Sequence, residues 1–438
     1  MTCPDLRIRL FAILSLFLLF SGAAAQRREL SLQEAVALTL KHHYSIVLAG
    51  FETDLARLNN TWEAAGRFPT VGIDGSLSTR QTIDGGDNAI LNSFSAGLGL
   101  DWVVFNGFRV GITKEKLEQL QLLSEGNAAL VIEGAIEEVI LTYYSVLLEK
   151  EKEAVLERLF RLSGDRYSYE EARYELGGSG SYQLLQARNV YLGDEAAYLT
   201  QQVNVRSYTR ELNYLTGDAP ATEWSFTSSF TPDTTDYELD ELLRLMLSNN
   251  QRLKNQYCSL LLQENAWQLA RSDLYPSVRF SAGLDNNLSG KTVYPADPVT
   301  GNVFTPSASL SFSYGLYQGG AKKRALEAAR INREAASVER EEMIHRLTNT
   351  LYSEYDLYQV RKVLLTVAEE GLKAAEMNLE LSEAKYRAGT LTSLEYRDVQ
   401  LLYLNAALRR LEAIYNLISS NITLSRLTGG ILDYSTEE

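Results

Sequence analysis

Residues 94–107 read FSAGLGLDWVVFNG, and residues 306–319 read PSASLSFSYGLYQG. In both stretches, apolar residues alternate with small or polar ones until a glycine, Gly107 or Gly319, ends the pattern. Alternation with period two predicts a β-strand that has one apolar and one polar face. A long segment without proline follows each glycine. It leaves room for a helix of about 70 residues, roughly 100 Å long at 1.5 Å per residue.

The two stretches belong to halves of the chain that repeat each other 212 positions apart. The sequence pattern of each half predicts, in order, a helix, a strand hairpin, a very long helix, a glycine-containing turn and a returning helix. The matched positions are Gly107 with Gly319, Tyr174 with Tyr386, Gly177 with Gly389, Ser181 with Ser393, and Thr216-Gly217 with Thr428-Gly429. A repeat of this length indicates a duplicated unit, because solenoid repeats are much shorter.

The N-terminal segment has the pattern of a secretory signal peptide. Arg7 and Arg9 precede the apolar run Leu10–Phe20, and small residues lead to a cleavage point before Gln26. The run is too short to span a bilayer as a helix. The predicted division of the chain is a signal peptide at 1–25, a first repeat at 26–217, an equatorial linker at 218–236, a second repeat at 237–429 and a C-terminal tail at 430–438.

Composition and motifs narrow the function classes. The net charge is −14, which argues against nucleic acid as a partner, because binding it requires a basic surface. Cys258 is the one cysteine outside the predicted signal peptide, so no intrachain disulfide is expected. It is interpreted as a core residue, with a reactive thiol as the alternative. The three histidines have no zinc-site spacing, and no phosphate loop or nucleophile turn occurs. The sequence predicts no enzyme, metal site or cofactor.

Four segments alternate with period two, at 71–78, 94–104, 278–285 and 307–316. Each has about the ten-residue length that a tilted transmembrane strand needs, and Leu98, Leu310 and Phe312 would then face lipid. The alternative is a soluble sheet. Because the smallest membrane barrels have about eight strands, four strands per chain imply that several chains share one barrel. The segments Thr82–Asn92 and Asn286–Thr305 are predicted as exposed loops, since they are polar and rich in turn residues.

Apolar residues in the long helices recur every seventh position or at alternating steps of three and four. Sustained heptads predict coiled-coil seams. The seam residues are Ile132, Val139, Val146, Glu153, Phe160, Tyr167 and Tyr174 in the first repeat, Ile344, Leu351, Tyr358, Leu365, Leu372, Leu379 and Tyr386 in the second, and Leu401, Leu404, Leu408, Leu411, Tyr415, Ile418 and Ile422 in the last returning helix. A coiled coil alone does not explain the strand hairpins.

Matched turns, Tyr174–Ser181 and Tyr386–Ser393, join each long helix to its returning helix. Gly177 and Gly389 are expected to end the long helices in the left-handed conformation. Thr392 or Ser393 can cap the next helix, with Glu395 in its first turn.

The order of these features resembles the TolC-like outer membrane efflux proteins, over essentially the whole chain after residue 25. The segments that begin at Leu30 (LSLQEAVALTL) and at Leu239 (LDELLRLML) are similar to the first helix of each family repeat. Further motifs typical of the family are Pro69 and Pro276 before strands, and Phe105-Asn-Gly and Tyr317-Gln-Gly-Gly between strand and long helix.

The resemblance implies a mixed α and β fold that is mostly helical. Three identical chains would form a TolC-like trimeric β-barrel, with four strands per chain and twelve in total, continuous with a periplasmic α-helical coiled-coil barrel. The expected location is the outer membrane of a Gram-negative bacterium, in contact with its lipid. The expected function is a duct for efflux or type I secretion that accepts cargo from an inner-membrane pump and a periplasmic adaptor (membrane fusion) protein. The alternative is a periplasmic coiled-coil scaffold without a channel.

The resemblance also implies two functional regions. Glu395 and Asp398 match acidic residues that narrow the periplasmic entrance gate in some family members. They lie three residues apart, hence on one helix face. The acidic residue of the first tip is replaced by Gln183, and the alternative role of the pair is to favour a helix N-terminus. The adaptor-facing tips are expected to comprise Gly177, Gly178, Ser181, Gly389, Thr392 and Ser393.

Overall fold

The computed structural model of the protein describes residues 28–84, 87–294 and 299–432. The predicted signal peptide, the cleavage point before Gln26 and residues 433–438 of the predicted tail lie outside this part. Eight helices occur within it: α1 (Leu32–His42), α2 (Tyr44–Asn59), α3 (Arg109–Glu175), α4 (Ser181–Thr216), α5 (Leu239–Asn249), α6 (Gln251–Ser272), α7 (Ala321–Arg387) and α8 (Ser393–Thr428). Each of the two long helices, α3 and α7, has 67 residues.

The strands form two sheets. Their bounds are β1 (Arg28–Leu30), β2 (Thr70–Asp84), β3 (Asp87–Asn106), β4 (Trp224–Phe226), β5 (Ser277–Tyr294) and β6 (Val299–Ser313). The larger sheet is antiparallel, in the order β2-β3-β5-β6. Strands β1 and β4 pair in parallel. Strand β4 lies within the predicted linker at 218–236, where the sequence analysis predicted no strand. In the described residues, no helix combines the length and the apolar character needed to cross a membrane.

The chain divides into two compact units. The sheet unit comprises residues 48–130 and 251–346, and therefore holds the four-stranded sheet with α6 and the first parts of α3 and α7. The hairpin unit comprises 28–47, 131–250 and 347–432. It holds two helical hairpins: the first is the end of α3 with α4, and the second is the end of α7 with α8.

In the sheet unit, the four predicted strands are confirmed but are longer than predicted, at 15 to 20 residues. Most of the predicted loops at 82–92 and 286–305 are strand where described, so the loop prediction is wrong there. The polar residues of these segments extend the ladder, as where Thr79 donates to Asn92 across 2.9 Å. Strand β6 instead ends at Ser313, three residues earlier than predicted.

Apolar side chains line one face of the sheet. Two register rows cross all four strands, Val71–Leu100–Ala282–Ala308 and Ile73–Leu98–Leu284–Pro306. Many of these side chains are uncovered within the chain, and Ile73 is 84% exposed. The opposite face is polar, and there the carboxylates of Asp74 and Asp285 flank Gly97.

A glycine turns the chain from β3 into α3. Gly107 has a φ of 69°, and a Cβ there would lie 2.3 Å from the backbone oxygen of Ser272. The next residue, Phe108, has the one positive φ, 67°, among the described non-glycine residues. Its ring meets Phe105 and Tyr275 edge-on at 5.3 and 5.9 Å. These contacts bring the end of α6 against the start of α3 within the sheet unit.

In the hairpin unit, the α7 seam is confirmed, because Leu351, Tyr358, Leu365, Leu379 and Tyr386 are buried. In α3, Val139 and Val146 are buried. Further along, Phe160 and Tyr167 stack on Tyr191 of α4.

The last position predicted for the α3 seam is wrong, since Tyr174 is 45% exposed. The buried residues nearby are instead Ser163, Arg166 and Glu170. They are polar, so the hydrophobic pattern could not mark them.

Two further predictions need correction. The buried stripe at the start of α8 is Gln400, Tyr403 and Ala407 rather than Leu401, Leu404 and Leu408, because tyrosines fill that part of the core. The single first helix of each repeat is also broken in two. The chain leaves the helical conformation at His43 and at Asn250. The side chain of Asn250 bonds to the carbonyl of Leu427 across 2.9 Å, which holds the second break in place.

Candidate functional site

The turns of the two helical hairpins share one backbone design. Gly177 and Gly389 have φ values of 77° and 74°, as predicted for glycines that end helices. The residue after each glycine donates its N–H to a carbonyl five positions earlier, from Gly178 to Arg173 and from Thr390 to Lys385. This bond, with the left-handed glycine before it, is the Schellman pattern. Both glycines are exposed, and a Cβ on either would meet nothing within 4 Å.

The helices that follow the turns begin differently. Thr392 is the N-cap of α8 and forms a capping box with Glu395: its hydroxyl accepts from the Glu395 backbone N–H, and its own N–H donates to the Glu395 carboxylate. Gly180 is the N-cap of α4 and offers no capping side chain. The predicted cap at Thr392 is therefore confirmed, and the start of α8 has a capping box that the start of α4 lacks.

Both predicted gate carboxylates are exposed on α8. Glu395 accepts hydrogen bonds from the hydroxyl and backbone N–H of Thr392, and these bonds lower the pKa of its carboxyl. The carboxylate of Asp398 makes no hydrogen bond or ion pair to the described part of the chain. Glu395 thus takes part in starting the helix, whereas Asp398 is available to solvent and ions.

Between these two carboxylates lies Arg397, which the sequence did not single out. Its guanidinium binds both carboxylate oxygens of Asp194 on α4, at 2.7 and 2.8 Å. Only 16% of the Arg397 side chain and 8% of the Asp194 side chain are exposed. A two-point bond of this kind is strong and directional. It fastens the start of α8 in the second hairpin to α4 in the first.

A second link joins α3 to α7. The hydroxyl of Tyr386 donates to a carboxylate oxygen of Glu170 at 2.7 Å, and the other carboxylate oxygen accepts from the Ser179 hydroxyl at 2.8 Å. Both Glu170 and Tyr386 are buried. Burial and the bond to Glu170 raise the pKa of Tyr386 far above its usual range, so it remains a neutral donor. The Tyr386 ring also stacks on Tyr396 at 4.8 Å.

Arg166, one helical turn before Glu170, has few partners. Only 2% of the residue is exposed. One hydrogen bond runs from its Nη1 to the backbone oxygen of Ser393, at 3.4 Å, and its Nε has no partner in the described part of the chain. Burial lowers the pKa of its guanidinium. A buried guanidinium whose Nε has no hydrogen-bond partner is costly.

Sequence reasoning missed these links because charged residues on long helices are usually solvated. Arg397 and Asp194 are 203 positions apart, and Tyr386 and Glu170 are 216 apart. The available signal was the i, i+4 spacing of Arg166 and Glu170 near a matched turn. Within the described ranges, no cluster of three or more His, Cys, Asp or Glu residues could hold a metal ion.

In the sheet unit, the residues predicted to face lipid are uncovered. Leu98, Leu310 and Phe312 are all exposed, and they lie on the apolar face of the sheet. Strands β2 and β6 each have a single neighbour in the sheet. A free edge and an uncovered apolar face both favour association, with other strands and with an apolar environment respectively.

Comparison with known proteins identifies a family with this architecture. The sequence model of one protein family, described as outer membrane efflux protein, matches residues 35–218 and 242–430. The two matched segments correspond to the two predicted repeats. No curated protein matches the sequence significantly.

Solved structures with the same fold include three outer membrane proteins, two of them described as channels. The CmeC outer membrane channel of Campylobacter jejuni has 18% identity and a TM-score of 0.74, over 91% of this chain and 85% of that one. The outer membrane protein VceC of Vibrio cholerae has 15% identity and a TM-score of 0.72, over 91% and 96%. The open state of the MtrE outer membrane channel of Neisseria gonorrhoeae has 17% identity and a TM-score of 0.69, over 93% and 91%.

Proposed function

The chain belongs to the outer membrane efflux protein family, and from this premise we propose that it is a passive export duct in the outer membrane of a Gram-negative bacterium. It accepts cargo from an inner-membrane pump through a periplasmic adaptor protein, in efflux or type I secretion. The chain supplies the conduit, and the pump supplies the energy.

The observation that carries the proposal is the uncovered apolar face of the sheet unit. Ile73, Leu310 and Phe312 are each at least 70% exposed. Water would make such a face a site of aggregation, whereas lipid would cover it. A periplasmic scaffold without a channel gives this face no covering.

The edges of the sheet support closure of one barrel by several copies, and the family suggests that the copies form a homotrimer. Four strands with free edges at β2 and β6 cannot close on themselves, because the smallest membrane barrels need about eight strands. Edge-to-edge pairing of three copies would give twelve strands and leave no edge free. The polar face, where Asp74 and Asp285 lie, would then line the interior.

The hairpin unit is proposed to contain the entrance. Glu395 and Asp398 would form stacked carboxylate rings in a symmetric trimer, with the second hairpin as the moving element. Opening would require the links from Tyr386 to Glu170 and from Arg397 to Asp194 to break. Their burial makes the closed arrangement stable until an adaptor or pump acts on it.

The two turns are proposed to receive the adaptor. Gly177, Gly178, Ser181, Gly389 and Thr392 are exposed, and Ser393 is half-buried. Beside them, Leu176 is 87% exposed and Tyr182 is 72% exposed. Exposed apolar side chains around a rigid turn suit docking of another protein.

Extraction and electrophoresis test the proposal. A duct should sediment with outer membranes, require detergent for release, and migrate as a trimer that heating converts to monomers. Purified trimers should also give ion conductance in planar bilayers. Release of the folded protein by salt or osmotic shock alone would instead support the scaffold alternative.

A further inference from the structure

The hairpin unit contains a cavity of about 480 Å³ whose lining residues come from α3, α7 and α8. Its volume falls within the range of about 300–1,000 Å³ that is typical of small-molecule sites. Tyr386 and Tyr396, which line it, are buried, whereas Asp165 and Arg387, which also line it, are exposed. The cavity therefore has a buried floor and a rim that opens to the surface.

A buried cation forms part of the floor. Arg166 lines the cavity, and only 2% of the residue is exposed. Its Nε has no hydrogen-bond partner in the described part of the chain, and the bond from its Nη1 to the Ser393 carbonyl is long, at 3.4 Å. An acceptor bound in the cavity would remove the cost of burying this donor unpaired.

The carboxylates that surround Arg166 already have other partners. Both oxygens of Asp194 bind Arg397, at 2.7 and 2.8 Å. Both oxygens of Glu170 accept from hydroxyl groups, and one of them lies 3.9 Å from Nη1 of Arg173. The cluster thus has three guanidinium groups and two carboxylates. One positive charge in it lacks a carboxylate of its own.

The charged residues of the rim do not supply that partner. Glu383 is paired with Arg387, at 2.6 Å. Asp165 is exposed, so water screens its repulsion of an anion bound at the floor. The buried end of the cavity is therefore the end that favours a negative charge.

The walls of the cavity suit a flat apolar group. The ring of Tyr386 stacks on Tyr396 at 4.8 Å and meets Tyr169 at 5.3 Å, at a steep angle. Leu162 packs against the same cluster. Aromatic rings are favourable neighbours for another ring, and a guanidinium group pairs strongly with a carboxylate.

We propose that this cavity binds a small aromatic carboxylate, whose charged group accepts from Arg166 and whose ring lies among Tyr169, Tyr386 and Tyr396. The site lies within the hairpin unit of one chain. It therefore goes beyond the proposed function as a duct and does not depend on it. The ligand would contact α3, α7 and α8 together and would stabilise the folded unit by mass action.

Calorimetric titration of detergent-solubilised trimers tests the site with two matched probes, after subtraction of a titration into micelles alone. Naphthoate carries a ring and a carboxylate, whereas naphthamide has nearly the same shape without the charge. Naphthoate should bind saturably, with an affinity about tenfold or more above that of naphthamide. Absence of saturable binding would show that water or a neighbouring copy fills the cavity. That result, or equal affinities of the two probes, would overturn the proposal.

Arg166→Met tests which residue receives the carboxylate. The affinity for naphthoate should fall to about that of naphthamide, and the affinity for naphthamide should change little. Arg158→Met is the matched control, because Arg158 lies about two turns earlier on α3, donates to the Tyr403 hydroxyl at 2.9 Å and does not line the cavity. It should leave naphthoate binding unchanged. An equal loss in both variants would reflect the removal of any positive charge and would overturn the proposal.

Leu162→Trp covers failure of Arg166→Met to fold. This change leaves Arg166 in place and fills the cavity with a larger side chain. It should abolish binding of both probes while heat-labile trimers persist. If trimers of Leu162→Trp bind naphthoate as the wild type does, the probe binds elsewhere and the proposal is overturned.

Discussion

The hydroxyl of Tyr386 lies 2.7 Å from a carboxylate oxygen of Glu170, although the two residues are 216 positions apart. The bond joins the two helical hairpins just before their turns. The heptad pattern predicts only apolar packing for Tyr386, so its hydroxyl adds a directional contact to the seam. The position of this bond makes the stability of the hairpin unit sensitive to the ionisation of one tyrosine.

Alkaline pH should weaken this contact. Burial and the bond to Glu170 raise the pKa of Tyr386. Its stabilisation is therefore complete below the ordinary tyrosine pKa of about 10 and is lost as pH rises through the folded value. The melting temperature of wild-type trimers should fall more between pH 9 and 11.5 than that of Tyr386→Phe. Parallel pH profiles for the two proteins would contradict this prediction.

A charge on the apolar face of the sheet should prevent insertion. Leu310 is 70% exposed on that face, whereas Ser311 lies on the polar face and donates to the Arg279 carbonyl. An arginine facing the bilayer midplane costs about 2–4 kcal/mol. Leu310→Arg should therefore reduce the folded trimer recovered from outer membranes far more than Ser311→Arg. Equal tolerance of both changes would refute the assignment of the faces.

Gly389→Val should disturb the second turn locally. The φ of Gly389 is 74°, and a Cβ would meet nothing within 4 Å, so the penalty is backbone strain of about 1–2 kcal/mol. Adaptor crosslinking and export should fall while trimers persist. Gly371→Val inside α7, where space is open and φ is not positive, should leave both the trimer and adaptor crosslinking intact. Loss of the trimer in Gly389→Val would assign this glycine to folding alone.

The two gate carboxylates should contribute unequally to ion selectivity. Carboxylate rings favour cations in pores, so Glu395→Gln with Asp398→Asn should lower the cation-to-anion permeability ratio in bilayers. Asp398→Asn should account for most of the change, because hydrogen bonds from Thr392 hold the charged Glu395 carboxylate at the helix start and occupy its oxygen, whereas the Asp398 carboxylate can reach a passing ion. Thr392→Ala removes no charge and should cost only about 0.5–2 kcal/mol of stability. Unchanged selectivity and unchanged block by divalent cations in the double variant would leave Glu395 and Asp398 as helix-start residues.

Gly107→Ala should damage the junction between β3 and α3. The added Cβ would approach the Ser272 carbonyl to 2.3 Å, at a φ of 69°. Relief of this clash would separate α3 from the end of α6. Folded trimers should be lost or should dissociate at a clearly lower temperature. Gly111→Ala is the control, since Gly111 lies in the first turn of α3 with nothing within 4 Å. Equal stability of the two variants would show that the junction adapts freely.

Periodicity in the sequence correctly predicted which face of each strand is apolar and which residues of α7 form the buried seam. The faces of β2, β3, β5 and β6 follow from alternation, because each strand has one apolar side. The α7 seam follows from its heptads for the same reason. The ends of the strands did not follow, since polar pairs such as Thr79 and Asn92 extend a ladder without any hydrophobic signal.

The contacts that fasten the two hairpins to each other depend on specific pairs of distant polar residues. Periodicity in the sequence could not predict these pairs. Arg397 follows Glu395 closely in a charged segment, and nothing in the sequence pairs it with Asp194. The break at Asn250 is also held by a tertiary contact, because its side chain bonds to the carbonyl of Leu427, 177 positions away. The role of Glu395 and Asp398 comes from resemblance and stays a prediction.

The parallel pairing of β1 with β4 has a consequence for biogenesis. Residues 28–30 pair with residues 224–226, and the Leu30 carbonyl also accepts from Tyr143, at 2.9 Å. Residues 28–30 therefore cannot pair until residues 224–226 have been synthesised and secreted. Contacts this distant in sequence form slowly, because a long loop must close first. The N-terminal end should accordingly remain open to chaperones and proteases until more than half of the polypeptide has emerged from the translocon.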